Sequence, residues 1–418
     1  MYYTLFANSK GEIYEDTSLL MLGRTGEEWV IPEDAELMPM PKGASLVTMP
    51  YHYPIGLNGA DEISYLKNNP YEAAEEVSAV AALLPQGFTR SLLPASVKYD
   101  ATTTLPLLGY AAVGLKNEKL YVAAVKTDEH RKWHPSYYNT EGLPARINQM
   151  LKKLPDNRII RQLAKCALQY SCFTAQNIFY QRWEGGIPTM VSCNANCIGC
   201  ISESHIGVEA PQNRLDFQPS VKEITEIAAL HLANAREAII SFGQGCEGEP
   251  SLNAKDLAAA IREVRHNHTD KGTININTNA GYTKGIMEMV DAGLDAMRVT
   301  LFSTIKTAYN SYHQPYNYSL NDVEYSINYA KDRGLKVSLN LLTYPGFTDR
   351  ESEASSLIGF VRRNNIDMIQ FRNLNIDPDI ISQHFPSGES CYGIANLLDL
   401  LKHEIPYVTL GSYSYPVR

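Results

Sequence analysis

Apolar and polar positions change rhythm near Gly185. Beyond it, short apolar runs alternate with stretches whose apolar residues recur three and four apart. Ile187–Val191 predicts a strand, and Val221–Ala235 predicts a helix with Pro219 and Ser220 at its start. The same alternation continues through strand Ala238–Phe242, helix Asn253–His266, strand Thr273–Thr278, helix Thr283–Ala292 and strand Ala296–Phe302. It runs on through helix Asn321–Arg333, strand Lys336–Leu342, helix Glu351–Asn364 and strand Met368–Leu374. Strands alternating with helices of this length predict a parallel sheet covered by helices. Six such strands fall short of the eight that close a full barrel, so the expected fold class is α/β with a partial (βα)6 barrel.

The first half is less regular. Ala44–Met49, Leu107–Leu115 and Leu120–Val125 read as strands among Pro and Gly breaks. Pro70–Leu84 has helical spacing through Ala73, Val77, Val80 and Leu84, and Gly142–Leu154 and Arg158–Phe179 read as helices. The expected organisation is an N-terminal α+β domain over 1–183, the barrel over 184–380 and a C-terminal extension over 381–418. Two aromatic tracts, Trp133–Tyr138 and Phe179–Glu184, read as packing or as cover for the barrel mouth.

Composition narrows the function classes. A net charge of −9 argues against a broad nucleic-acid footprint. The N-terminus has no basic segment before an apolar core, and no run reaches about 18 apolar residues, so a cytoplasmic protein without a membrane span is expected. The seven cysteines are odd in number and three are clustered. In a reducing compartment that pattern reads as metal-binding or redox-active.

The cluster is Cys193-Asn-Ala-Asn-Cys197-Ile-Gly-Cys200, a C-x3-C-x2-C loop. Three thiolates on one loop suit three irons of a cubane that normally takes four, leaving one iron open to a ligand. The competing reading is a structural zinc site with His205 as a fourth ligand. C-x3-C-x2-C after a first strand, opening a partial βα barrel, resembles the radical SAM superfamily. The resemblance implies Cys193, Cys197 and Cys200 as ligands of a 4Fe-4S cluster, with S-adenosylmethionine (SAM) on the open iron.

Each further motif falls after a predicted strand, where ligands of such folds sit. Gly248-Glu249-Pro250 is similar to the family's turn for the SAM amino group, preceded here by an extra Cys246-Glu247 segment. Asn277 and Asn279 stand where the family often has an amide-bearing turn. Thr300 and Ser303 are candidates for SAM hydroxyl or carboxylate contacts, Asn340 faces the barrel if Ser338 does, and Arg372 suits an anionic group. Arg298 reads as a surface strand charge or as a bidentate partner for a carboxylate. Cys246 is the candidate catalytic thiol, able to give a hydrogen atom to, or carry a group for, a radical. Cys166 and Cys172 read as small packing residues on one helix, or as a catalytic or redox thiol pair.

The resemblance implies an enzyme that splits SAM reductively into a 5′-deoxyadenosyl radical and activates a C–H bond of a small molecule or peptide. An electron donor such as flavodoxin or ferredoxin would serve it. The alternatives are a radical SAM methyltransferase using an auxiliary cysteine, or a non-catalytic zinc or iron–sulfur protein.

Overall fold

The computed structural model describes residues 1–128, 131–267 and 271–418. The chain divides into two compact units. One comprises Met1–Glu129, Leu342–Ile358 and Phe371–Pro406; the other comprises His130–Leu341, Gly359–Gln370 and Tyr407–Arg418. These divisions fall elsewhere than 183/184 and 380/381. The helices over 143–180 group with the barrel, and two later segments group with the N-terminal strands.

Described strands of the first unit's N-terminal segment are mostly antiparallel neighbours in one twelve-stranded sheet. Pro70–Leu84 is not helical. Glu72–Glu76 and Ser78–Leu83 are strands, and the second pairs with Ser45–Met49 in the register Ala79↔Met49 to Leu83↔Ser45. Val80 and Ala82 pack into one apolar cluster and Ala79 and Ala81 into another, so both faces of the strand are buried. A doubly buried strand reads as a continuous apolar run, which mimics a buried helix.

The second unit carries most of a parallel sheet of seven strands in sequence order: β1 (Arg182–Gly186), β2 (Arg236–Phe242), β3 (Thr273–Thr278), β4 (Ala296–Leu301), β5 (Lys336–Thr343), β6 (Met368–Asn373) and β7 (Thr409–Gly411). This is the expected partial barrel, with a seventh strand too short to stand out as a pattern. β7 is fixed by pairing with Met368–Gln370.

β1 lies upstream of the predicted Ile187–Val191. Ile187 still donates its N–H to Ser241, but Pro188 has none to give, and the ladder stops. The predicted helix Arg158–Phe179 is two, α1 (Arg158–Gln169) and α2 (Phe173–Tyr180), because Ser171 adopts φ 49° between them.

Inside the sheet Arg298 is not a surface charge. Its guanidinium donates to Gln370 (3.0 Å) and Ser414 (2.7 Å) and lies 3.4 Å from the buried Glu184 carboxylate. The aromatic tract is core as well: Trp133 and Tyr138 pack with Tyr413, and the Trp133 and Tyr413 rings stack at 5.7 Å. No helix among the described residues is long and apolar enough to cross a membrane.

Candidate active site

The site is built from three loops and one helix end. The cysteine loop follows β1, the glycine-rich turn follows β2, and the Asn279 turn follows β3. The helix is α3 (Lys306–His313), which follows β4. Backbone bonds clamp these pieces. Gly248 donates to Met190 (2.7 Å) and Glu249 to Ser192 (2.9 Å), joining turn to loop. Asn196 donates to His313 (3.1 Å) and Ile198 to Tyr312 (3.0 Å). The last carbonyls of a helix have no partner within it, so the loop's N–H groups complete the end of α3.

Two buried carboxylates organise the glycine-rich turn. Glu247 accepts from the backbone N–H groups of Thr189, Met190, Gly243 and Gln244 and from the Thr189 hydroxyl. Burial pushes its carboxyl up to about 7, against the pull of those donors. Glu249 caps the short helix Pro250–Asn253 through the Ser251 N–H, and accepts from the Thr278 hydroxyl and the Asn279 N–H. Asn279 in turn donates its amide to Asn194, inside the cysteine loop, at 2.7 Å. A chain of polar contacts thus runs from the turn after β2, through the turn after β3, to the cysteines.

All three cysteines are half-buried. Burial pushes Cys193 up to about 11, aided by the Glu249 charge and by Cys200, while Arg214 pulls it down. Cys197 lies well above its ordinary value through burial and then through Cys193 and Cys200. Tyr309 and Tyr312 are buried on α3, and burial first, then the nearby cysteines, pushes both hydroxyls up. Three mutually repelling thiolates on one loop are poor alone. A positively charged metal core relieves the repulsion and deprotonates them outright.

Among the described residues, no three His, Cys, Asp or Glu side chains close around a point for one metal ion. His205, the proposed fourth zinc ligand, lies 4.0 Å from Glu203. A cubane places each thiolate on a different iron, so its ligands need not converge on one point. The donor set fits a cluster better than a single zinc.

The other sequence candidates are placed as follows. Asn277 donates to the Gly243 carbonyl at 2.9 Å, behind the turn. Thr300 and Asn340 are neighbours in register, and the amide donates to the hydroxyl at 3.1 Å. Ser303 accepts the Ile305 N–H at 2.9 Å, at the start of α3. Pro250 is buried in the first turn of its short helix. Arg372 belongs to the other compact unit.

Cys246 is buried with its thiol against that of Cys166, and Cys172 donates its backbone N–H to the Cys166 carbonyl. The sequence reading missed Asn194, Glu247, Arg214 and His313. Asn194 and Glu247 lie inside motifs already singled out, where a polar residue in a tight turn is a usable signal. His313 has no local signal at all.

A cavity of about 460 Å³ opens among the N-terminal ends of the strands, lined by Thr273, Asn275, Ser338 and Gln370 among others. No residue of the cysteine loop lines it; the candidate residues stand at the opposite strand ends.

Residues 187–357 match the family model described as the Radical SAM superfamily. No curated protein matches the chain. Among solved structures, methylornithine synthase (PylB) is similar at 12% identity and a TM-score of 0.38, over 56% of this chain and 66% of that one. SuiB of Streptococcus suis bound to precursor peptide SuiA is similar at 14% identity and a TM-score of 0.40, over 59% and 53%. A radical SAM methyltransferase from Sphaerobacter thermophilus is similar at 14% identity and a TM-score of 0.39, over 56% and 65%. The chain spans between about half and two thirds of the length of these three structures.

Proposed function

We propose, on the premise that the chain belongs through residues 187–357 to the radical SAM superfamily, whose members use a 4Fe-4S cluster and SAM, that it is an enzyme activating a C–H bond of a small molecule or peptide. The observation that carries the reading is the cysteine loop itself. Three thiols on one loop are clamped by backbone bonds to the glycine-rich turn and to the end of α3. When bound, the cluster and SAM supply one-electron cleavage of the sulfonium and a 5′-deoxyadenosyl radical.

The chain's residues bind, orient and exclude water. Cys193, Cys197 and Cys200 would hold the cluster through three of its irons, leaving the fourth open to SAM. Gly248 brings the backbone of its turn close, and Glu249 and Asn279 fix the turns that would hold SAM. Pro250, Asn277, Thr300, Ser303, Asn340 and Arg372 are the remaining proposed SAM contacts. The buried tyrosines of α3 keep water from the cluster side. A flavodoxin or ferredoxin is the proposed electron donor.

The test is anaerobic reconstitution with iron and sulfide, then reduction with SAM present. 5′-Deoxyadenosine is the expected product. Methylthioadenosine would redirect the reading to cleavage at the aminocarboxypropyl carbon. Neither product, with zinc in the purified protein, would overturn it.

Cys246 is the proposed catalytic thiol. It stands two residues before Gly248, and a second thiol, Cys166, lies against it. Cys246→Ser should keep full iron and 5′-deoxyadenosine formation while losing substrate-derived product. Unchanged product in that variant would remove Cys246 from the chemistry. A methylated Cys246 in wild-type digests would favour the methyltransferase alternative.

A further inference from the structure

His313 ends α3 and is buried, its ring packed against Tyr309 at 4.5 Å and Tyr312 at 4.9 Å. One ring nitrogen, Nδ1, lies 3.2 Å from Cys197 Sγ. The other, Nε2, lies 3.1 Å from the backbone N of Phe302, which directs its N–H at it. A backbone N–H can only donate, so Nε2 must offer its lone pair. The ring therefore carries its proton on Nδ1, aimed at the sulfur. A doubly protonated ring would set two N–H groups face to face, and a flipped ring would turn a C–H, not a lone pair, toward the Phe302 N–H.

The bond made by one imidazole nitrogen thus decides what the other can do, as it does for histidines that ligate metals. Here the fixed group is a donor, and its target is a cysteine proposed as a cluster ligand. The setting is rigid. The His313 carbonyl accepts from Asn196 and the Tyr312 carbonyl from Ile198, on either side of Cys197 in sequence. One helix end holds both the loop's backbone and its central sulfur.

We propose that His313 is a positioning residue that donates an Nδ1–H···S hydrogen bond to Cys197 and thereby raises the reduction potential of the cluster. The inference rests on reading the cysteine triplet as cluster ligands. The physical reason is charge. Reduction adds an electron to the cluster and loads more negative charge onto its sulfurs, and an N–H aimed at sulfur stabilises that state more than the oxidised one. Hydrogen bonds to sulfur are among the factors that set iron–sulfur potentials.

Two variants separate this role from packing. His313→Gln can reach the Nε2 position and still accept from Phe302, but offers nothing to sulfur. His313→Asn places an amide N–H near the Nδ1 position, but gives up the acceptor for Phe302. The measurement is an EPR-monitored redox titration of reconstituted protein, with iron counted in every sample. His313→Gln should lower the midpoint by ~59 mV, the one-electron equivalent of a tenfold drop in the reduced-to-oxidised ratio at fixed potential. His313→Asn should stay near the wild type. Equal potentials in all three proteins would overturn the proposal, and so would equal shifts in both variants, which would mean packing.

If neither variant holds iron, the wild type still decides. Pulsed EPR of the reduced wild-type cluster, with 15N-labelled histidine, should show one weak nitrogen coupling and one exchangeable proton. A strong coupling would mean nitrogen bound to iron, and no coupling would mean no hydrogen bond; each overturns the assignment. A wild type that assembles no cluster would instead bring down the reading of the triplet itself, before any variant is compared.

Discussion

Cys197→Ala is expected to reduce bound iron to the level of unreconstituted protein and to abolish 5′-deoxyadenosine formation. Cys197 is the middle of the three thiols, meets α3 through His313, and is raised well above its ordinary pKa by burial and by the other two cysteines. Removing it takes away one of three anchors, in a site where a fourth protein thiolate is not proposed. Two-point attachment should not retain a cubane through desalting. Folding should survive, because the loop is held by backbone bonds from Asn196 and Ile198 rather than by the thiol. Circular dichroism close to wild type, with iron and SAM cleavage both lost, is the expected pair of results. Cys391→Ala is the control, since that thiol is exposed and lies in the other compact unit. A Cys197→Ala protein with full iron and full cleavage would sink the ligand assignment.

What the sequence made legible depended on range. Strands β2 to β6 and the helices predicted between them follow from alternation and spacing within a dozen or so residues, and the structure puts them within a residue or two of their expected ends; α3 was not among the predicted helices. The C-x3-C-x2-C loop is equally local. The failures are where distant chain decides. Pro70–Leu84 became strand because sheet layers bury both of its faces, which no local period reveals. β7 is three residues long and exists only because β6 offers an edge.

In the site, Glu249 was found through its motif, yet its carboxylate is engaged by Ser251, Thr278 and Asn279, so its visible contribution is to hold turns together. Glu247 read as a departure from the family turn, and it proves to be the acceptor on which that turn is folded. His313 stands 116 residues from Cys197, and nothing in Ser311-Tyr312-His313-Gln314 announces a sulfur partner. Register between remote loops is a property of the folded chain, and it is there that sequence reading stops.

Gly248→Ala should produce the second large effect, through backbone rather than chemistry. A Cβ at Gly248 would lie 1.9 Å from the Ser192 carbonyl oxygen and 2.4 Å from its carbon. No side-chain rotation relieves that clash, because both atoms are main chain. The glycine-rich turn and the cysteine loop must move apart, and the two bonds between them, Gly248 to Met190 and Glu249 to Ser192, lie on the line of separation. Overpacking typically costs ~1–3 kcal/mol. The two strained backbone bonds add about 1 kcal/mol each. The sum is a substantial part of the stability of an ordinary domain.

Gly142→Ala is the matched control, with nothing within 4 Å of its added carbon and an ordinary helical φ of −76°. Gly248→Ala is therefore expected to melt several degrees lower than both wild type and Gly142→Ala, and to bind SAM at least tenfold more weakly after reconstitution. The affinity loss follows because the turn and the cysteine loop are the two sides of the proposed SAM site, and a shift of a fraction of an ångström between them misaligns both. Calorimetry and equilibrium binding on the same preparations separate the two effects. A variant that melts and binds like the wild type would show that the close approach of Gly248 to Ser192 is not needed, and would remove that turn from the wall of the site.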